Sequence, residues 1–204
     1  MSEKKIKLLF LLSVLILMPL SLFAETKPEK ATFAGGCFWC MEHPFEKLEG
    51  VLDVLSGYTG GREENPTYGE VSSGATSHCE AIQITSDPAK ISYLELLDVF
   101  WKQIDPTDPG GQFADRGLQY RTTIFFHNEE QRRLAELSKE QLNNSGKYGK
   151  EIVTEIIQAG SFYKAEEYHQ DFYRKSPVRY KLYRKGSGRD QFLERIWGKV
   201  KNTK

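Results

Sequence analysis

The sequence predicts an α+β domain of two layers, on two observations. Strand-like and helix-like runs alternate loosely along the chain, with long loops between them. A short apolar strand at 30–34 also passes through Gly35-Gly36 directly into a helix-like segment that opens with Cys37-Phe38-Trp39-Cys40. After the glycines, Phe38, Met41, Phe45 and Leu48 recur at helical spacing as far as Gly50, with Pro44 expected to kink the helix. Residues 51–56 form a second strand, and 57–69 is loop, full of turn formers. A third strand spans 78–85, with His78, Glu80, Ile82 and Ile84 on one face and Cys79, Ala81 and Gln83 on the other. Ser92 and Glu95 make a capping box for a helix whose buried stripe is Leu94, Leu97, Trp101 and Ile104. A glycine-rich loop at 108–117 leads to a strand at 120–126, and Asn128 with Gln131 caps a helix ending at Leu142. A further strand lies at 152–159 and an aromatic-rich helix at 162–175, and the tail after Pro177 is weakly patterned.

The two ends of the chain differ in kind. Lys4, Lys5 and Lys7 precede an apolar run at 8–18, and Ser21-Leu22-Phe23-Ala24 sets a small residue before Glu25. That is the pattern of a secretory signal peptide over residues 1–24, cleaved after Ala24. Leu22 in place of a small residue leaves an uncleaved membrane anchor as the alternative. Export to the periplasm or outside the cell is the expected localisation. Residues 25–30 are a short polar lead-in, and 31–204 make one domain, long enough for a sizeable core. Lysine and arginine number 28 and aspartate and glutamate 28. A balanced charge without basic clusters argues against a nucleic-acid partner.

Chemistry gathers at Cys37. A thiol at the start of a helix feels the positive end of the helix dipole, which favours the nucleophilic thiolate. Phe38 and Trp39 offer apolar walls, and Cys40 is near enough to trap an oxidised Cys37. A C-x-x-C pair is also half of a zinc site or a structural disulfide. Zinc takes about four ligands, usually from two paired motifs. Only Cys79 and the histidines 43, 78, 127 and 169 remain, without a second pair at ligand spacing. A disulfide closing so short a loop adds little by loop entropy. The residues therefore point to a thiol redox enzyme. Glu80, a carboxyl entering an apolar run, has the setting for a raised pKa and an acid's role, or is an ordinary charge at a strand end. Tyr68 and Tyr120 are candidate hydrogen-bond donors to a polar oxygen, and Asp115 sits in a glycine-flanked loop.

Six segments then occur in order: Gly36-Cys37-Phe38-Trp39, Gly57-Tyr58-Thr59-Gly60-Gly61, Asn65-Pro66-Thr67-Tyr68, His78-Cys79-Glu80-Ala81, Asp115-Arg116-Gly117-Leu118-Gln119-Tyr120-Arg121 and Ala165-Glu166-Glu167-Tyr168-His169-Gln170. From Ala31 to Pro177 the chain resembles the class A peptide methionine-S-sulfoxide reductases. The resemblance implies an α/β two-layer sandwich with a mixed central sheet. It implies Cys37 as the nucleophile on the sulfoxide sulfur and Glu80 as the acid toward its oxygen. Tyr68 and Tyr120 would be donors to that oxygen, Asp115 a supporting residue, and Phe38 and Trp39 the pocket for the substrate methyl. No metal, flavin or nucleotide cofactor is implied, only an external dithiol reductant such as thioredoxin or a thioredoxin-like protein. The substrates would be oxidised proteins and free methionine sulfoxide, and the enzyme a monomer. Many members carry glycine where Cys40 stands and resolve the oxidised nucleophile with cysteines near the C-terminus. This chain has no cysteine after Cys79. Cys40 suits the members that place the resolving thiol inside the nucleophile motif, and strand alternation turns Cys79 away. The remaining readings are a thioredoxin-like disulfide oxidoreductase and a zinc- or disulfide-stabilised binding module.

Overall fold

The computed structural model describes residues 27–198. The leader read over residues 1–24 lies outside the described residues. Strand β1 (Glu29–Gly35) is central to a six-stranded sheet and is followed by helix α1 (Phe38–Glu46), β2 (Val51–Thr59), the short helix α2 (Tyr68–Ser72) and β3 (Cys79–Ser86). Helix α3 (Tyr93–Trp101) follows, then a small ribbon, β4 (Gly111–Gln112) and β5 (Asp115–Arg116), and a 3-10 turn at Leu118–Tyr120. Strand β6 (Thr122–Phe126), helix α4 (Glu129–Asn144), β7 (Glu155–Gln158) and β8 (Tyr163–Lys164) lead to three C-terminal helices, α5 (Phe172–Lys175), α6 (Pro177–Gly186) and α7 (Arg189–Trp197). The strand order is β7-β6-β1-β3-β2-β8. Every pairing is antiparallel except β6 with β7, so the sheet is mixed as expected.

Strand alternation divides the apolar residues between two faces. Phe33, Ile82, Ile84 and Ile124 join the main core with Phe38, Met41 and Phe45 of α1 and Leu96, Leu97 and Phe100 of α3. On the opposite face, Ala34, Cys79, Ala81 and Phe125 make a smaller cluster with Ala159 and Phe162. The capping box Ser92–Glu95 and the Asn128 cap both form. In α3 the buried stripe runs through Leu96, Leu97, Phe100 and Trp101, and Leu94 is exposed.

The strands expected at 120–126 and 152–159 shorten to Thr122–Phe126 and Glu155–Gln158, with Tyr120 in the 3-10 turn, and three further stretches differ from the sequence expectation. Strand β2 continues to Thr59, and Thr67 with Glu70 forms a capping box that starts α2 inside the supposed loop. The 162–175 stretch is not a continuous helix. It pairs briefly with β2 as β8, then turns, and Asp171 in the left-handed region (φ 52°) precedes the one-turn α5. Within the turn, the Gln170 side chain acts as a strand neighbour: Ser56 N–H donates to its Oε1 at 2.9 Å, and its Nε2 donates to Ser56 O at 2.9 Å. The tail after 177 forms α6, which packs on α1, and α7, which packs on α6.

That cover is specific. Pro44 lies inside α1 and has no N–H, so the carbonyl four residues back, on Cys40, loses its helical donor. Arg184 of α6 supplies the missing bond, Nη1 to Cys40 O at 3.0 Å, while its Nη2 donates to Gln103 and its Nε to Asp190. Replacing Arg184 with Met strands this carbonyl and the Gln103 amide oxygen, and the expected loss is about 1–3 kcal/mol. Urea unfolding measures it, and a change under about 0.5 kcal/mol, the range of an ordinary surface substitution, would contradict the assignment.

Candidate active site

The turn between β1 and α1 is built for close approach. A Cβ on Gly35 would lie 2.7 Å from Met41 Cε, and one on Gly36, at φ +81°, would lie 2.6 Å from Gln112 Cβ. Glycine therefore allows the backbone to pass here, and Cys37 becomes the N-cap of α1, 6 % exposed. The first helical amide does not face the sulfur: Phe38 N–H donates to Glu80 Oε2 at 3.0 Å. This bond ties α1 to β3, where Glu80 pairs with Tyr58 of β2.

Burial governs the protons. Glu80 is 2 % exposed and burial pushes its carboxyl up to about 8, so it is mostly protonated at neutral pH. The Phe38 bond occupies one oxygen and leaves the other to carry the proton. The thiolate expected at Cys37 is not the resting form. Burial raises the Cys37 thiol well above its ordinary value, aided by the hydrogen bond with Cys40 and by Glu80 and Asp115 nearby. Cys40 is held down to about 7 by the same hydrogen bond, with Arg189 and Arg184 adding to it. The two thiols thus share their protons unequally, with the charge favoured on Cys40. All three cysteines are free and buried.

The other expected residues converge on this point. Asp115 of β5 is half-buried, which raises its carboxyl, and it accepts a hydrogen bond from the Tyr183 hydroxyl. Tyr68 opens α2, and its amide donates to Glu166 at 2.9 Å. Tyr120 ends the 3-10 turn. Burial raises both phenols, with Glu80, Asp115 and Cys37 close enough to raise them further. Both therefore remain protonated donors. Phe38 packs inward against Tyr58 and His169. Trp39 stays partly exposed, stacked on Phe172 at 3.7 Å and 9°.

Cys79 is elsewhere. It lies on the opposite face of the sheet, its thiol donates to Thr59 O at 3.4 Å, and burial pushes it up to about 11.

Four residues at the site escaped the sequence reading as individuals. Trp39 Nε1 donates to His169 Nδ1 at 3.1 Å, which fixes the neutral tautomer of a histidine that also packs on Tyr68 at 4.3 Å. His169 lies in a motif that carried the resemblance, but its partner is 130 residues away in sequence. Tyr183 meets Trp39 edge-on at 5.8 Å and interacts with both Asp115 and Cys37. Arg184 holds Cys40 O, and Arg189, 1 % exposed, donates to Gly35 O at 3.0 Å. No local pattern marks these last three. Their partners lie at the other end of the chain.

Away from the site, Glu42, Glu46 and Asp171 bring three carboxylates within metal-binding range. Arg174 already pairs with Glu46 and Asp171, and Glu42 accepts the Asp171 amide.

The sequence profile of the family described as peptide methionine sulfoxide reductase matches residues 29–201. The chain belongs to this family. It is similar to the Bacillus licheniformis peptide methionine sulfoxide reductase MsrA, at 60 % identity over 173 residues, covering 85 % of this chain and 96 % of that protein. Among solved structures it is similar to reduced Mxr1 from Saccharomyces cerevisiae, with TM-score 0.70, 34 % identity, and coverage of 74 % and 87 % of the two chains. The structure of Mxr1 in complex with Trx2 also matches, with TM-score 0.52, 27 % identity, and coverage of 72 % and 85 %. Membership in the methionine sulfoxide reductase family replaces the disulfide oxidoreductase and binding-module readings.

The raised Glu80 pKa has a consequence for stability. The folded carboxyl titrates near 8 and a free one near 4.5. Between those values the folded state holds more protons than the unfolded one, so Glu80 makes folding less favourable as pH rises through that window. Glu80→Gln is expected to raise the melting temperature relative to the parent at pH 8.5 and to change it little at pH 4. Scanning both proteins at the two pH values decides this, and an equal shift at both would contradict the assigned pKa.

Proposed function

We propose that this chain reduces methionine-S-sulfoxide, protein-bound or free, to methionine, with Cys37 as nucleophile, Glu80 as acid and Cys40 as the resolving thiol. The observation that carries the reading is the buried, protonated Glu80 carboxyl bonded to the amide next to Cys37. A sulfoxide is a poor electrophile at sulfur until its oxygen receives a proton, so acid and thiol must meet at one group. Glu80 delivers that proton, Tyr68 and Tyr120 donate hydrogen bonds to the same oxygen, and the Cys37 sulfur attacks the sulfoxide sulfur. Trp39, backed by Phe38, receives the substrate methyl, and Asp115 supports the site. Methionine leaves with its sulfur reduced by two electrons, and Cys37, oxidised by two, becomes a sulfenic acid.

Cys40 then attacks that sulfenic acid, forming the Cys37–Cys40 disulfide and releasing water. Its lowered pKa supports this role, and the burial of Cys79 on the far face argues against the rival. An external dithiol returns the two electrons by exchange. A thioredoxin or thioredoxin-like donor is the fitting class, and the complex of the related Mxr1 with Trx2 supports it. No prosthetic group enters this cycle, and the protein acts as a monomer. The family match begins at residue 29 and leaves the leader-like segment in front of it, which supports export. The N-terminus of the exported protein would then be Glu25.

Separate S and R epimers of methionine sulfoxide, with dithiothreitol as reductant, test the reaction. Turnover of the S epimer alone is expected, and Cys37→Ser abolishes it. Turnover of neither by reduced parent protein, or retained activity in the variant, would refute the reading.

A further inference from the structure

The wall of the substrate pocket continues outward along α6. Trp39, which receives the substrate methyl in the proposed reaction, stacks on Phe172 at 3.7 Å. Phe172 is buried, and the Arg179 guanidinium lies over its ring, 5.6 Å from the centre. Tyr183, one turn further along the same side of α6, meets Trp39 edge-on at 5.8 Å. Arg179 is therefore one ring removed from the oxidised side chain. We infer that Arg179 determines specificity by pairing with an acidic side chain that flanks methionine sulfoxide in a polypeptide. The inference rests on the reductase reading above and deepens it, by naming a class of protein-bound substrate.

The spacing suits a peptide laid along α6. An extended chain advances ~3.3 Å per residue. A side chain two or three residues from the oxidised methionine thus comes opposite Arg179. Leu182, three residues after Arg179 and 68 % exposed, offers the peptide an aliphatic surface on the way. A guanidinium presents a planar fork that matches a carboxylate with two parallel hydrogen bonds. The Phe172 ring beneath holds that fork in place by cation–π attraction, which lowers the entropy lost when a carboxylate docks.

The surroundings select the sign of the partner. Basic and acidic residues balance over the whole chain, yet residues 172–189 hold seven lysines and arginines and no aspartate or glutamate. Some of these cations are already matched: Arg174 pairs with Glu46 and Asp171, Lys175 with Glu167, and Arg184 with Asp190. Arg179, Lys181 and Lys185 are exposed and pair with no carboxylate among the described residues. An acidic flank completes this face, and a basic flank meets uncompensated like charge.

The experiment compares three peptides that differ only at the second and third residues on either side of a central methionine-S-sulfoxide, which are Glu, Gln or Lys. Each kcat/KM is divided by the same protein's value for free methionine-S-sulfoxide, so a general loss from loosening Phe172 cancels. The parent at low salt is expected to favour Glu over Lys by about fivefold or more, the effect an exposed ion pair supplies. The preference should lie in KM rather than kcat and shrink in 0.5 M salt. Arg179→Gln should flatten the order, and Arg179→Glu should reverse it. A parent without the preference, or an Arg179→Glu variant that keeps it, would overturn the inference. So would a parent without the preference that sediments with anionic phospholipid vesicles when Arg179→Glu does not, since the face would then belong to a membrane surface. A parent that reduces free methionine-S-sulfoxide but shows no charge order loses only this inference. A parent that reduces neither peptide nor free sulfoxide loses the reductase reading, and this inference with it.

Discussion

The hydrogen bond from the Phe38 amide to the Glu80 carboxyl sets the distance between the helix that starts at Cys37 and the strand that carries Glu80. On one side it depends on two glycines that let β1 turn into α1 without a Cβ in the way. On the other it depends on β3 being held between β1 and β2, so that Glu80 emerges on the face that α1 covers. The same bond spends the helix's first free N–H on a carboxyl instead of a sulfur. The positive end of the helix dipole therefore bears on the Glu80 carboxyl, where the Phe38 bond partly offsets the rise that burial causes, and Cys37 rests as a thiol. Burial makes both facts chemically useful, since it keeps Glu80 protonated and keeps Cys37 from losing its proton before substrate arrives.

The C-terminal helices complete what α1 begins. Pro44 opens a gap in the α1 ladder at the Cys40 carbonyl, and Arg184 fills it. Arg189, folded into the interior and stacked on Phe113 at 4.6 Å, grips the Gly35 carbonyl at the end of β1. Two cations thus bracket the Cys37–Cys40 segment, and their charge bears on Cys40 more than on Cys37. The proposed resolving thiol lies three residues after Cys37, so these helices bring positive charge near a thiol they do not themselves carry and a hydrogen bond to its backbone carbonyl.

Much of this was legible in the amino-acid order. Alternation along β3 separated Glu80 from Cys79 correctly, because a strand buried on both faces still turns successive side chains to opposite sides. The Ser92–Glu95 box and the Asn128 cap announced their helices through short-range chemistry that needs no tertiary context. The Thr67–Glu70 box was equally present in the sequence but was masked by the glycines and proline around it. The 162–175 stretch misled because its aromatic content suggested an apolar helix. A left-handed Asp171 and the Gln170 amide, which bonds Ser56 from 114 residues away, gave it another shape. Tyr183, Arg184 and Arg189 were illegible for the same reason. Each is an ordinary surface type in a weakly patterned stretch, and only folding reveals what it meets.

In the proposed cycle Cys37 and Cys40 form one redox pair, with Cys79 outside it. Reduced protein given one equivalent of methionine-S-sulfoxide, without a reductant, should yield a single disulfide. Peptide mapping by mass spectrometry under acid quench would locate it. A Cys37–Cys40 bond with Cys79 recovered as a free thiol is the predicted result. A bond that includes Cys79 would contradict the account, because it would require the β3 strand to give up the burial that separates the two faces of the sheet.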